Sequence, residues 1–160
     1  MSGLLGVDLS VGPGGLGVLA FRGPDAARFL QGQLSAEIGK LAPGQSTLAG
    51  LHNPQGRVIA LLALARPAAE EFFALLPREL TTSVAQRLGK FVLRAKVRIN
   101  DESTQWRIVG LAGESTVAAA ASFAWGTRRV LLEMGDAVAA PEDPLARTAW
   151  DYADLAGGMP

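Results

Sequence analysis

Apolar positions along this chain fall in short runs divided by Gly, Pro, Asn and Asp, a pattern that predicts strands and brief helices. Residues 1–16 are Gly-rich and without period, and Gly17–Arg22 (GVLAFR) then reads as a strand. Gly23-Pro24-Asp25 opens a helix, since proline suits the first helical position and an early aspartate suits the positive end of the helix dipole. Leu30, Leu34 and Ile38 recur every fourth residue and predict one buried stripe along it, closed by Gly39, Pro43 and Gly44. Thr47–His52 and Arg57–Ala65 read as the strands of a hairpin turned by Asn53-Pro54-Gln55-Gly56. The second strand is apolar at nearly every position, which predicts cover on both faces.

Glu71–Leu76 continues as a strand, and Arg78–Leu93 as a helix with Leu80, Val84, Leu88 and Phe91 on one face. Lys96–Asn100 alternates as a half-exposed strand does. Gln105–Leu111 and Arg128–Met134 read as strands around an Ala-rich helix at Glu114–Phe123. Asp136–Pro144 reads as loop, and Pro144–Ala156 as a last helix. Strands, hairpins and interspersed helices imply an α+β fold of mainly antiparallel sheet, with strand–helix–strand parts packed as a ferredoxin-like unit. Residues 1–160 are expected to form one region, with possible lobes at 1–100 and 101–160.

Composition narrows the functional classes. With 160 residues, 49% of them hydrophobic, the chain can bury a sizeable core and is not a disordered segment. Fifteen basic residues balance fifteen acidic ones, so nothing global points to direct nucleic-acid binding or to a membrane surface. No cysteine is present and His52 is the single histidine, which removes disulfides, thiolate nucleophiles and ordinary zinc sites from this sequence. Met1–Val11 has no basic stretch ahead of its apolar residues, unlike a signal peptide. The longest apolar run, Val58–Ala65, falls far short of the roughly 20 residues that span a bilayer, so a soluble cytoplasmic protein is expected.

Several strings invite chemistry. Gly12-Pro13-Gly14-Gly15-Leu16-Gly17 matches G-x-G-x-x-G, but a strand follows it where a dinucleotide site needs a helix, so it reads as a Gly-rich entry loop. His52 lacks triad or metal partners and reads as a hydrogen-bonded structural residue, and Asp151 with Asp154 as a solvated helix face. Arg87, Lys90, Arg94, Lys96 and Arg98 form a basic patch that either holds an anionic tail or is simply solvated surface. In Gln31-Gly32-Gln33 a glycine interrupts a helix at a cost of about 1 kcal/mol, which implies a close neighbour at Gly32. The two glutamines offer donors and acceptors suited to a heteroaromatic edge.

Read in order, four blocks resemble one known family. Gly23-x-Asp25-x(3)-Phe29-Leu30-Gln31-Gly32-Gln33-Leu34-Ser35 is similar to the opening motif of the YgfZ proteins, relatives of the glycine-cleavage T-protein (aminomethyltransferase). Asn53-Pro54-Gln55-Gly56-Arg57-Val58, Leu88–Val97, and Trp150 followed by Gly158-Met159-Pro160 resemble its later blocks. The resemblance implies a tetrahydrofolate-binding fold that supports iron–sulfur enzymes, including one acting on tRNA. It assigns Gln31 and Gln33 to polar edges of the folate and Trp150 to stacking on it. Arg57, Arg94 or Lys96 are then expected, from their charge, to meet the glutamate carboxylates. The family's second tryptophan of the site falls on Leu16, and its catalytic aspartates fall on Ala60 and Leu61. Aminomethyl transfer therefore loses its acid–base group. The family's Lys-Gly-Cys-Tyr string and C-terminal barrel lie beyond Pro160, so the chain reads as a truncated member. A rival reading is a non-catalytic interaction module that keeps the fold without the ligand and forms a homodimer through surface the barrel would cover.

Overall fold

A computed structural model describes residues 6–11, 14–111, 119–126, 128–135, 147–151 and 154. Its elements, in order, are β1 (Gly6–Asp8), β2 (Leu16–Arg22), α1 (Ala26–Gln33), β3 (Ser46–His52), β4 (Val58–Ala68) and β5 (Glu71–Pro77). They are followed by α2 (Thr81–Gly89), β6 (Arg98–Asp101), β7 (Trp106–Leu111), β8 (Ala121–Trp125) and β9 (Arg128–Met134). One sheet has the order β3-β4-β5-β2-β6 and the other β1-β7-β9-β8, with every named pair antiparallel. This is the α+β, mainly antiparallel fold that the sequence implies. Within the larger sheet, β2-α1-β4-β5-α2-β6 has the strand order of a ferredoxin-like unit, and β3 is added at its edge.

The period of two in β2 and β5 builds two cores at once. Leu19, Phe21, Phe72, Ala74 and Leu76 face α1 and α2, and join Ala26, Phe29, Leu30, Val84 and Leu88. Val18, Ala20, Phe73 and Leu75 face the smaller sheet and meet Ile108, Phe123, Val130 and Leu132. At about 25 cal/mol per Å² of apolar area, burial on both faces makes these shared strands strongly stabilising. Their nearly unbroken apolar sequences follow from being covered on both sides.

Several elements depart from expectation. α1 stops at Gln33; Leu34 instead bridges Leu51, and Ser35 exchanges backbone and side-chain bonds with Gly50. Ile38 is buried from a separate 3-10 turn, so the stripe of Leu30, Leu34 and Ile38 survives without one helix carrying it. The segment expected as helix at Glu114–Phe123 ends in a strand: β8 buries Ala121, Phe123 and Trp125 by strict alternation, paired along β9. Residues 112–118 of it lie outside the described residues. β1, within the stretch expected to be loose, pairs with β7. The helix expected over Arg78–Leu93 is a 3-10 turn followed by α2, and residues 90–94 leave it as turns. Cover on β4 is two-sided from Leu62 to Ala65, while Val58 and Leu61 are exposed. Residues 147–151 and 154 are helical within the predicted last helix. No helix among the described residues is long and apolar enough to cross a membrane.

Gly17 and Gly23 explain two close approaches. A Cβ on Gly17 would lie 2.4 Å from a Thr81 methyl and 2.7 Å from the Ser103 hydroxyl. Gly17 therefore serves packing, and a strand that begins at Leu16, where a dinucleotide site needs a helix, argues against a phosphate loop. Gly23 has φ +143°, and its missing Cβ would fall 2.1 Å from the Lys96 carbonyl.

Candidate functional site

A cleft opens where the larger sheet splits. β4 and β5 pair from Ala68↔Glu71 to Ala63↔Leu75 and no further, although β4 continues on β3 down to Val58. Residues 58–62 thus have a strand partner on one side only, and their other backbone edge faces a gap. The gap is a pocket of about 270 Å³. Leu16, Leu48, Leu61, Leu76, Leu80 and Trp125 are its principal walls, with Ala60 and Pro77 also lining it. Leu48, Val58 and Leu61 are exposed at its rim. The volume is just below the roughly 300–1,000 Å³ of ordinary ligand pockets, and fits one flat ring system. Among the described residues no carboxylate, histidine or amine lines it.

Trp125 is fixed from behind. Its indole Nε1–H donates to Asp154 Oδ1 at 3.0 Å, and Arg128 forms an ion pair with the same carboxylate. The Arg128 guanidinium also donates to the Trp150 carbonyl at 3.0 Å and sits 4.0 Å from the Trp150 ring centroid. Trp150 is 5% exposed, and Gly110 leaves room for its ring: a Cβ there would lie 2.7 Å from it. Asp154 is therefore a working partner inside this network, not part of a solvated face, while Asp151 is exposed and pairs with Arg147.

The residues named from sequence are placed apart. Gln31 is exposed; its Oε1 accepts from the Gly39 amide at 2.9 Å, and its Nε2 donates to the Ala36 carbonyl. Gln33 ends α1, half-buried, and neither glutamine lines the cleft. Gly32 has nothing within 4 Å of the place a Cβ would take, so no neighbour among the described residues requires that glycine, against expectation. Arg57 is exposed just before β4, next in sequence to Val58, and does not line the cleft. Arg94 and Lys96 are exposed at the other end of β2, about 20 Å away by strand length. His52 is exposed, with its ring against Gly50 and no hydrogen bond among the described residues, where a bonded one was expected. The sequence reading missed Trp125 and Leu48; the alternation of Ala121, Phe123 and Trp125 was the available signal.

A second site of charge joins the layers. Glu102, buried between β6 and β7, receives two bonds from the Arg22 guanidinium and one from Trp106 Nε1 at 2.8 Å. Arg22 holds the Glu102 carboxyl below its usual range against the opposing effect of burial, and is itself held protonated. Burial works against ionised Asp101, but bonds from Ser103 and Thr81 outweigh it and keep that carboxyl low as well. Among the described residues no group of acidic or histidine side chains is placed to hold a metal ion.

Comparisons with known proteins agree on one lineage. A family profile described as GCVT N-terminal domain matches residues 14–125. An uncharacterized protein of Haemophilus influenzae is 28% identical over 150 residues, covering 89% of this chain and 51% of that protein. The tRNA-modifying protein YgfZ of Edwardsiella ictaluri is 32% identical over 170 residues, covering 86% of this chain and 50% of its own length. A mitochondrial iron–sulfur cluster assembly factor, an IBA57 homolog of Cryptococcus neoformans, is 35% identical over 92 residues, covering 56% of this chain and 24% of that protein. The chain thus spans about half the length of the first two relatives. Among solved structures, aminomethyltransferase T of the glycine cleavage system from Bartonella henselae superposes with a TM-score of 0.66 at 17% identity. That match covers 82% of this chain and 42% of the enzyme, and shows the same fold.

Proposed function

The chain belongs to the GCVT N-terminal domain family, and from that premise we propose that it binds a reduced folate, tetrahydrofolate or a derivative, in service of iron–sulfur enzymes. The observation that carries this is the split between β4 and β5. It offers apolar walls for a flat ring, and beside them a one-sided backbone edge whose amides and carbonyls can meet a heteroaromatic rim. The described residues fit the ring of a folate better than its polar parts. Leu16, Leu61 and Trp125 supply contact area, and Arg57, next in sequence to the rim residue Val58, is the candidate cation for a glutamate tail. Gln31, Gln33, Arg57, Arg94, Lys96 and Trp150 do not line the cleft, so a part for them needs contact beyond its walls.

A bound folate supplies one-carbon chemistry elsewhere in the family. Here the chain's own residues bind, orient and exclude water, since the cleft is lined by Ala60 and Leu61 and, among the described residues, by no proton-transfer group. A scaffold reading is favoured by one specific observation: Leu48, Val58 and Leu61 form an exposed apolar rim that a protein surface can cover.

Anaerobic titration with tetrahydrofolate, followed by calorimetry, separates the two. Saturable binding is expected, weakened about tenfold or more in Leu48→Glu, an exposed position that tolerates the charge. Absence of binding by folded protein up to millimolar ligand would sink the folate reading. Self-association of the unaltered chain, abolished by Leu48→Glu, would establish the scaffold in its place.

A further inference from the structure

We infer that residues 90–98 form a docking surface for an acidic protein segment that carries apolar side chains. Leu93 is the only described non-glycine residue with positive φ, at 45°, in a region that a side chain with a Cβ disfavours. It is also 86% exposed, beside Phe91 at 52%. The turn is closed by the Ala95 amide donating to the Val92 carbonyl at 2.7 Å, while Val92 and Ala95 pack inward on the helical core. An apolar residue is thus held out into water on a strained backbone, although a glycine or asparagine would make the same turn without strain.

The rest of the fold holds this turn in place. The Lys96 amide donates to Asp25 Oδ2 at 2.8 Å, the Asp25 amide donates to the Lys96 carbonyl at 3.2 Å, and Gly23 lets that carbonyl approach. Two blocks far apart in sequence, Gly23-x-Asp25 and the 88–97 string, therefore meet to fix one exposed loop. Strain that surrounding structure maintains belongs to positions where conformation serves contact with something else.

Charge names the partner. Arg87, Lys90, Arg94, Lys96 and Arg98 flank Phe91 and Leu93 in sequence, and none of them has an ion pair among the described residues. Lys96 and Arg98 continue into an open groove of about 750 Å³ at the start of β6, an edge strand of the larger sheet. Unpaired cations around an apolar pair complement a segment in which carboxylates alternate with Leu or Phe. An RNA or an anionic membrane fits less well. The chain has no net charge to steer a polyanion, and Glu70 and Glu71 form the far wall of the groove.

The test uses the whole chain and a short synthetic peptide alternating Glu and Leu, read by amide chemical shifts. Saturable shifts confined to residues 87–98 are expected, with affinity falling about tenfold in Leu93→Gly and in Arg94→Glu, and for a Gln-for-Glu peptide. Leu93→Gly suits the positive φ, and its melting temperature, expected to be unlowered, shows that the fold persists. The proposal is overturned if the folded chain ignores the peptide or if Leu93→Gly binds it equally well. Preference for a single-stranded RNA or phosphatidylserine vesicles, or burial of the surface by a second copy of the chain, overturns it too.

Discussion

Glu102 shows how much one residue can bind together. Its carboxylate takes Arg22 from β2 and Trp106 from β7, and its amide donates to the Val18 carbonyl, so both sheets close on it. Because its folded pKa is held below the ordinary carboxylate value, its contribution is complete above the unfolded pKa of roughly 4.3 and is lost as pH falls through the folded value. Asp101 acts in the same sense. Glu102→Gln is expected to cost about 2 kcal/mol at pH 7, the difference shrinking in melts below about pH 4. A constant difference across that range would rule the linkage out. Nothing in the composition marks Glu102, since its role arises from where Arg22 and Trp106 converge. Gly32 teaches the opposite lesson: helix propensity flags an awkward residue, but the space beside it is a tertiary fact, and here that space is open.

Elements were legible where period and punctuation agreed. β2, the β3–β4 hairpin, β5 and β9 have apolar runs between turn residues, and they lie where those signals place them. β8 was obscured because Ala-rich sequence favours helix locally, while pairing with β9 and burial of Phe123 decide for strand. The cleft was legible only in outline: Leu16, Ala60 and Leu61 stood out by what they lack, but the split of β4 from β5 is a matter of register that no local pattern records. At this scale the Asp154–Arg128 pair sets the orientation of β8's last side chain. In Asp154→Ala, Trp125 loses its hydrogen-bond partner, and emission is expected to shift red with a stability loss of about 1–3 kcal/mol. Asp154→Asn keeps an acceptor for the indole and should shift emission less. Unchanged emission in both would mean that packing alone orients the ring.

The whole molecule hangs on strands that serve two cores, and β5 makes the consequence testable. Phe72 faces the helices and Phe73 the smaller sheet, each at most 1% exposed, one residue apart on the same backbone. The smaller sheet also draws β1 from the start of the chain onto β7, so lobes at 1–100 and 101–160 would share both a strand pairing and a core. Truncating either phenylalanine to alanine should cost about 3–5 kcal/mol, and the loss should appear in both layers. Hydrogen exchange is the measurement that separates the cases. If the layers unfold as one unit, Phe72→Ala lowers protection in β7 and β9 as much as in α1, though it touches neither of those strands. If they are independent, protection falls in the helical layer alone, and the smaller sheet keeps its own stability. One common loss is expected, because β5 cannot shift under α1 and α2 without moving Phe73 and Leu75 against Phe123 and Leu132.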